Sequence, residues 1–176
     1  MQKQKQKLVT DFIKANENLA KQGTQEWLDD RRYVIGGSEI ATIIGINPYS
    51  KLPDLIAQKI GITSFEGSIP TRWGSIFENN TELIFKTLFV PDDNIYSTGS
   101  VPHKLTKNHR YSPDGLCVAK INNEYRIVLL EFKSPLGAVP DKKVPKHYIP
   151  QIKTGLCTIE LSEIGLFVNN MYRKCT

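Results

Sequence analysis

Three residues in the second half of the chain have the types and spacing of a metal-assisted catalytic site: Asp114, Glu131 and Lys133. Asp114 lies in a Ser-Pro-Asp-Gly turn that enters one predicted strand, and Glu131 lies near the end of the next predicted strand. A hairpin would bring these carboxylates together, because antiparallel neighbours are only about 5 Å apart across the ladder. Two carboxylates so placed can share one hard cation such as Mg²⁺, which prefers oxygen ligands.

Side-chain alternation along the second strand assigns the neighbouring positions. Glu131 and Lys133 point to the same face, so the ammonium group would stand beside the metal ligands, where it could orient an attacking water or stabilise an anionic transition state. Phe132 points the other way into the core, while its backbone carbonyl could be a further ligand. The alternative is an ordinary turn followed by a solvated ion pair. The apolar run 128–130 argues against it, because charges at the end of a buried strand are costly unless they are used or paired.

The elements around these residues predict an α/β fold with a small mixed β-sheet flanked by helices. Residues 1–22 predict an N-terminal helical extension at the surface, and residues 23–176 predict a single domain. Thr24 is the predicted N-cap of a helix that contains Trp27, and Ser38 is the predicted N-cap of a helix that Gly45 closes. Further helices are predicted over residues 55–60, 70–89 and 147–159. Strands are predicted over 94–101, 116–121, 125–132 and 163–168, with a hairpin turn at Asn122-Asn123.

The composition limits the classes of protein to consider. Lys and Arg total 23 against 18 acidic residues, and the net charge of +5 is compatible with a polyanionic partner. Cys117, Cys157 and Cys175 make no Cys-x-x-Cys pair, which argues against a zinc site, an iron–sulfur cluster or a disulfide framework. No apolar window is long enough to span a membrane, and the polar, basic N-terminus lacks a signal core. We therefore expect a cytoplasmic protein without a membrane partner.

Several short motifs occur in one order along most of the chain. They are Trp27 followed by Arg31 and by Gly36-Gly37-Ser38-Glu39; Gly45-Ile46-Asn47-Pro48-Tyr49; Arg72-Trp73-Gly74 leading to Phe77-Glu78-Asn79; Ser112-Pro113-Asp114-Gly115-Leu116; Glu131-Phe132-Lys133-Ser134-Pro135; and Tyr148-Ile149-Pro150-Gln151. An Asp followed by Glu-x-Lys on the next strand resembles the PD-(D/E)XK nuclease superfamily. The whole set resembles one branch of it, the lambda exonuclease family, also called YqaJ-like viral recombinase nucleases. The resemblance implies a restriction-endonuclease-like core.

The resemblance also implies catalytic roles for the matching residues. Asp114, Glu131, Glu78 and the Phe132 backbone carbonyl would bind Mg²⁺, with Mn²⁺ as a substitute. Glu78 would reach the site from its helix, although the residue alone is also typical of an exposed helix acid. Lys133 would position or activate the attacking water.

Roles in binding and positioning follow from the same resemblance. Gln151 would hold catalytic groups or water in place, and Tyr148 would contact DNA from the helix behind the site. Arg31 and Ser38 would bind the phosphate of a DNA end. For Ser38 the physics agrees, because a hydroxyl and free N–H groups at a helix N-terminus attract phosphate; the alternative is a plain N-cap. Arg32 is the alternative phosphate ligand, and the spacing from Trp27 and Ser38 favours Arg31.

The implied function is that of a metal-dependent deoxyribonuclease. It would be a 5′-to-3′ exonuclease on duplex DNA ends in recombination or repair, releasing 5′-phosphorylated nucleotides. An endonuclease or nickase on the same fold and a non-catalytic DNA-end-binding module are the alternatives; a binding module would be free to lose Lys133. Metal-assisted attack by water needs no histidine, so His147 is expected at the surface or behind the site. Expected partners are duplex DNA ends, a single-strand annealing protein and further copies of the chain, whose C-terminus is expected to be truncated relative to the family.

Overall fold

The hairpin that carries the acidic residues forms the centre of the larger sheet. A computed structural model of the protein describes residues 1–64, 67–91, 93–137 and 139–173. Strands β4 (Gly115–Ile121) and β5 (Glu124–Lys133) pair antiparallel, and β6 (Ile164–Asn169) pairs parallel to β5. The turn residues Asn122 and Asn123 have φ angles of 50° and 66°, as a tight hairpin turn requires. The predicted hairpin and the predicted mixed sheet are therefore confirmed.

A second, smaller sheet lies beside the first and differs from the sequence prediction. Its order is β1 (Ile35–Gly36), β3 (His109–Tyr111) and β2 (Val101–Pro102). The predicted strand over 94–101 is wrong apart from its last residue. Tyr96 makes one isolated bridge to Leu116, and the Ser100 N–H donates to the Ala20 carbonyl over 3.0 Å. The segment thus bonds to β4 at one residue and to the loop after the first helix at another, instead of forming a continuous strand.

The helices surround the sheets at the predicted places. They are α1 (Gln2–Ala15), α2 (Gln25–Asp30), α3 (Ile40–Ile43), α4 (Leu52–Lys59), α5 (Ile69–Phe89) and α6 (Ile149–Thr158). Thr24 caps α2 as predicted, because its hydroxyl accepts the Trp27 N–H at 3.3 Å. None of the helices in the described residues is both long and apolar enough to cross a membrane. Of the cysteines, Cys117 and Cys157 are free thiols, and Cys175 lies outside the described residues.

The predicted N-cap at Ser38 is wrong. A 3₁₀ turn, Gly37–Glu39, precedes α3, and Gly36 occupies the cap position in an extended conformation. The Glu39 carboxylate accepts the Gly36 N–H at 2.9 Å, so an acid three residues later satisfies the free donor. Ser38 lies inside the turn with its side chain exposed. The four-residue helix α3 also supplies little dipole, which removes the helix-terminus argument for phosphate at Ser38.

The two faces of the β4–β5 hairpin bury different clusters. One face packs Leu116, Val118, Ile127 and Leu129 against Tyr111, Ile159 and the fully buried Val9 of α1. The other face packs Cys117, Val128, Leu130 and Phe132 against Phe85 of α5. Helix α1, predicted to lie at the surface, therefore contributes to the core through Val9. Alternation places Glu131 on the Leu129 face, where the residue is fully buried next to Tyr111.

Glu163, just before β6, ties the N-terminal helix to the hairpin. Its carboxylate accepts hydrogen bonds from Lys5 of α1, from the Ile127 N–H at 2.9 Å and from Arg126 at 3.1 Å. These donors, Lys5 first and the Ile127 N–H second, lower the pKa of Glu163 from 4.5 to about 2. Because the pKa is depressed in the folded state, the stabilisation is present above pH 4.5 and is lost as the pH falls toward 2.

We expect Glu163→Gln to flatten the acid limb of the stability profile. Between pH 5 and pH 2 the free energy of unfolding should fall less steeply in the variant than in the wild type, because the variant has no carboxylate to protonate there. Urea unfolding at a series of pH values measures this slope. Glu160→Gln is the matched control, since Glu160 is an exposed acid that pairs with the exposed Lys104. Parallel slopes for Glu163→Gln and the wild type would contradict the prediction.

Candidate active site

Strand register brings the two hairpin carboxylates together. Gly115 pairs with Leu130, so Asp114 and Glu131 lie across from each other where the hairpin opens. The Phe132 N–H donates to Asp114 Oδ2 at 2.7 Å, which fixes that carboxylate. Lys133 Nζ donates to Glu131 Oε1, lies 3.0 Å from the Phe132 carbonyl oxygen and 3.8 Å from Asp114 Oδ2. The structure thus places the Lys133 ammonium in contact with both predicted catalytic carboxylates.

Burial makes this cluster electrostatically unusual. The Glu131 and Asp114 side chains are only 1% and 7% exposed, and Lys133 is 26% exposed. Burial, reinforced by the Glu131 charge, raises the pKa of Asp114 well above its usual range, although Lys133 opposes the shift. Burial also disfavours the charged form of Lys133, but Glu131 and Asp114 outweigh it, so its pKa lies above the usual value. Two buried carboxylates with only one ammonium group between them favour a further positive charge.

Glu131 is held by donors from three elements. Its Oε1 atom accepts from Lys133 and from the Gln151 amide of α6, and its Oε2 atom accepts from the Tyr111 hydroxyl at 2.9 Å. Tyr111 is 1% exposed. Burial and the Glu131 charge raise the pKa of Tyr111 far above its usual range, so the phenol stays protonated and donates at every working pH. Gln151 therefore lies at the site, as expected, and Tyr111 is a contact that the sequence analysis missed.

Two glycines make room for the Tyr111 ring. A Cβ atom at Gly37 would lie 2.4 Å from Tyr111 Cδ2, and a Cβ atom at Gly155 would lie 2.5 Å from Tyr111 Cζ. The ring is therefore clamped between the 3₁₀ turn and α6, and neither position can carry a larger residue without a shift. A glycine in the middle of α6 is unfavourable for the helix and was the available sequence signal for this close approach.

We expect the Tyr111 hydroxyl and Glu131 to be energetically coupled by about 1–3 kcal/mol, because removing the phenol leaves a buried carboxylate oxygen without its donor. A double-mutant cycle of Tyr111→Phe and Glu131→Gln, followed by urea unfolding, measures the coupling free energy. Tyr125→Phe serves as control, since Tyr125 is half-buried and packs against the same core. Strict additivity in the first cycle would show that the contact contributes nothing.

Oxygen donors at this site fit a hard cation. The Asp114 and Glu131 carboxylates and the Phe132 carbonyl all contribute oxygen, and Mg²⁺ is commonly held by one or two carboxylates with water completing the shell. Burial first and the Glu131 charge second raise the pKa of Asp114, and a cation held beside these oxygens would offset both effects. In the described ranges, no three His, Cys, Asp or Glu side chains are grouped to hold a metal. Glu78, predicted as a third acid ligand, is thus not pre-assembled with the other two.

Glu78 nevertheless faces the same cleft from α5. Burial raises its pKa, Lys133 lowers it and Glu131 raises it, so the three charges interact. One turn later on α5, the buried Thr81 hydroxyl bonds to Ser134 at 2.8 Å, just after β5. This contact fixes α5 against the hairpin and sets the distance of Glu78 from the carboxylates.

Arg31 forms part of the wall of the cleft and is positioned by its neighbours. Its guanidinium lies over the Trp27 ring at 4.6 Å and donates to Glu39 at 3.0 Å and to Ser38 at 3.4 Å. Lys59 holds the other Glu39 oxygen at 2.8 Å. The Trp27 indole N–H donates to the Ser112 hydroxyl at 3.1 Å, so this wall is attached to the turn that carries the first acid.

One cleft of about 260 Å³ contains the side chains of all the residues for which sequence predicted a side-chain role: Arg31, Ser38, Glu78, Asp114, Glu131, Lys133, Tyr148 and Gln151. Arg32, the alternative phosphate ligand, is exposed and does not line it. Tyr148 packs between His147 and Phe167 with tilted rings, and Lys133 Nζ lies 5.7 Å from its ring centre. His147 also lines the cleft, where its ring packs against Tyr148.

This fold and site define a class. The hairpin with two opposed carboxylates and a lysine on the second strand, the parallel third strand and the flanking helices together form a PD-(D/E)XK, restriction-endonuclease-like core. A solved alkaline exonuclease from Laribacter hongkongensis, LHK-Exo, has a similar fold, with a TM-score of 0.64 at 18% identity over 86% of this chain and 76% of that one. Its complex with dAMP gives 0.61 at 18% identity, over 83% and 73%.

Sequence comparison identifies the branch. The profile of the YqaJ-like viral recombinase domain matches residues 26–161, and the chain belongs to this family. Protein D345L from two isolates of African swine fever virus is similar, at 29% and 30% identity over 93% and 94% of this chain. The match covers 54% of each viral protein, so the chain spans about half the length of these relatives.

Proposed function

We propose that this protein is a metal-dependent deoxyribonuclease that hydrolyses phosphodiester bonds. The observation that carries the proposal is the buried contact of Asp114, Glu131 and Lys133 at the open end of the hairpin. Membership of the YqaJ-like family and a fold shared with an alkaline exonuclease support it. An α/β core alone would not, because one fold serves many functions.

The proposed cofactor is Mg²⁺, held by Asp114, Glu131 and the Phe132 carbonyl, with Mn²⁺ as a substitute. When bound, the ion supplies Lewis-acid stabilisation of charge on the phosphate and its attacking and leaving oxygens. Lys133 orients the attacking water and stabilises the anion that develops. Gln151 holds Glu131 in place through its amide donor. Glu78 acts across the cleft, where its charge interacts with Lys133.

We further propose an exonuclease that works from a 5′ end of duplex DNA and releases 5′-phosphorylated nucleotides. Arg31 supports this assignment, because it stands in the catalytic cleft with its guanidinium fixed between Trp27 and Glu39. A guanidinium fork recognises phosphate through paired N–H donors, and Ser38 adds a hydroxyl beside it. Tyr148 borders Lys133 and would contact the nucleotide next to the cleaved bond.

Incubation with linear and closed-circular duplex DNA, with and without Mg²⁺, tests the proposal. Loss of the linear form alone, only with Mg²⁺, is the expected result. Cutting of the circle would instead select an endonuclease or nickase. Binding of DNA ends without any cleavage in Mg²⁺ or Mn²⁺ would select a non-catalytic end-binding module and reject the enzyme.

A preference for phosphorylated ends should depend on Arg31. We expect a 5′-phosphorylated duplex to be degraded faster than a 5′-hydroxyl duplex, and Arg31→Ala to shrink that difference about 10- to 100-fold, the value of one charge-assisted contact. Initial rates on the two substrates measure the ratio. Arg32→Ala, an adjacent exposed arginine outside the cleft, is the matched control. Equal wild-type rates on the two substrates would contradict the assignment of Arg31 and Ser38 to binding of the terminal phosphate.

The partners, the location and the cellular process are further proposals. A single-strand annealing protein and further copies of this chain are proposed partners, and the proposed place of action is inside the cell. Recombination or repair of DNA is the proposed process, consistent with the family's description as a viral recombinase domain and with the viral relatives.

A further inference from the structure

We propose that Tyr49 forms a stacking site for an unpaired nucleobase at the mouth of the catalytic cleft. The proposal rests on the proposed function, since it names a contact to the DNA substrate. Tyr49 lines the cleft and yet is 82% exposed. A large aromatic ring so placed, beside a site that handles a phosphodiester, offers a flat apolar surface to the adjacent nucleotide.

The ring of Tyr49 is the outermost of a row of aromatic side chains. Its centre lies 5.6 Å from that of His147 in an edge-on arrangement, and His147 lies 4.2 Å from Tyr148. Tyr148 in turn lies 5.7 Å from Lys133 Nζ and packs on Phe167 at 5.0 Å. The row therefore leads from Lys133 to solvent. A DNA strand with one phosphate at Lys133 would follow this row, and its next base would lie near Tyr49.

The loop that carries Tyr49 is held rigidly. Gly45 ends α3 at a φ of 76°, and the next two N–H groups, of Ile46 and Asn47, both donate to the Ala41 carbonyl, at 2.9 and 3.0 Å. The Asn47 amide donates to the buried Thr42 hydroxyl at 2.7 Å, and its oxygen accepts the Tyr49 N–H at 2.9 Å. The Tyr49 backbone is thus fixed before any ligand arrives, which lowers the entropy cost of stacking.

The surrounding chemistry favours a nucleic acid over an apolar protein partner. The cleft beside the Tyr49 ring is polar: it is lined by the cations Arg31, Arg110 and Lys133, each of which pairs with a carboxylate, and by the acids Glu78, Asp114 and Glu131. Such a lining suits a phosphate-bearing strand better than an apolar protein segment. Base stacking on an aromatic ring tolerates any base, because every base has a π face. Such a contact lets a nuclease bind successive nucleotides without sequence preference.

Binding of tailed duplexes to an Asp114→Asn background, which does not consume the substrate, tests the site. Tyr49→Ala should weaken the affinity about 5- to 150-fold, the range for loss of one stacked base, and Tyr49→Phe should stay within about twofold of the parent. Tyr33→Ala is the matched control, because Tyr33 is 80% exposed and lies outside the cleft lining. Asn47→Ala should also weaken DNA binding, because it removes the hydrogen bonds that hold the Tyr49 loop.

A series of DNAs with one abasic nucleotide, moved through the last four positions of the strand, identifies stacking as the cause. When the missing base is the one that stacks on Tyr49, the parent and Tyr49→Ala should bind the abasic DNA with equal affinity. Equal DNA affinities of Tyr49→Ala and Tyr33→Ala would overturn the stacking site. So would a series in which Tyr49→Ala binds every abasic DNA more weakly than the parent does. Cleavage of linear DNA by the wild type would still support the nuclease in either case. Absence of DNA binding and cleavage by the wild type would reject both.

Discussion

Asp114→Asn and Glu131→Gln are each expected to lower DNA cleavage by at least about a thousandfold, because each removes a charged oxygen ligand and with it several kcal/mol of charge stabilisation. The two side chains supply both carboxylates of the proposed cation site, and no third acid is pre-assembled with them in the described part of the chain. Single-turnover cleavage of linear duplex DNA across a range of Mg²⁺ concentrations measures the effect.

The structure indicates that Asp114→Asn should fold normally. The carboxamide oxygen can still accept the Phe132 N–H that Asp114 Oδ2 now accepts at 2.7 Å. Burial raises the pKa of Asp114, so the ionised form opposes folding, and a neutral side chain should unfold at an equal or higher urea concentration at neutral pH. DNA binding should persist or tighten, because repulsion of the phosphate falls.

A buried aspartate elsewhere provides the control. Asp93 is 8% exposed and accepts the Val118 N–H at 3.0 Å, far along the hairpin from the site. Asp93→Asn should leave cleavage near the wild-type rate, whatever it does to stability. Cleavage by Asp114→Asn or Glu131→Gln at near the wild-type rate in Mg²⁺ would show that the assigned site is wrong.

The hairpin and the placement of its acids followed from local rules. Alternation along β5 put Glu131 and Lys133 on one face and Phe132 in the core, and the Asn122-Asn123 turn fixed the register that sets Asp114 across from Glu131. Each rule acts over a few residues, so a single sequence contains the information. The same holds for Thr24, whose capping needs only the next three residues.

The errors lie where a competing contact decides the outcome. Ser38 is a good N-cap by type, but Gly36 occupies the cap position because the Glu39 carboxylate accepts its N–H. Residues 94–101 have strand-like composition, yet Gly99 passes so close to the Leu19 and Ala20 carbonyls that a Cβ atom would lie 2.4 Å from the first. Such a contact, between segments about 80 residues apart, has no local signal.

Tyr111 is the kind of site residue that is overlooked when a site is inferred from residue types alone. Metal ligands and catalytic lysines are recognised by residue type, whereas a phenol that holds a carboxylate from a separate small sheet is recognised only by geometry. The strands β1 and β3 have two and three residues, too short for a periodic pattern. The glycines at 37 and 155 were visible in the sequence, but only the Tyr111 ring explains both.

Lys133→Ala is expected to lower single-turnover cleavage about a hundredfold or more, while Mg²⁺ affinity changes little or rises slightly. The ammonium group donates to Glu131 and stands 3.8 Å from Asp114 Oδ2, so it faces the place where negative charge develops on the phosphate. Stabilisation of such a charge by a fixed cation is commonly worth about 3 kcal/mol. The carboxylates raise the pKa of Lys133, so the group remains charged throughout the working range.

The size and shape of the cation should matter as well as its charge. Lys133→Arg is expected to restore little activity, because a planar fork cannot take the position of a compact ammonium group between Glu131 and the Phe132 carbonyl. Lys153→Ala, an exposed lysine of α6 outside the cleft, is the control for loss of general DNA affinity.

A purely structural Lys133 would give the opposite pattern. If the residue only pairs with Glu131, the alanine variant should keep its cleavage rate and lose at most about 3–5 kcal/mol of stability, the cost of leaving a buried charge unpaired. Cleavage and urea unfolding measured on the same preparation separate the two roles, because only the catalytic role lowers the rate of molecules that remain folded. Near-normal cleavage by Lys133→Ala would remove the lysine from the mechanism and leave the two carboxylates to act alone.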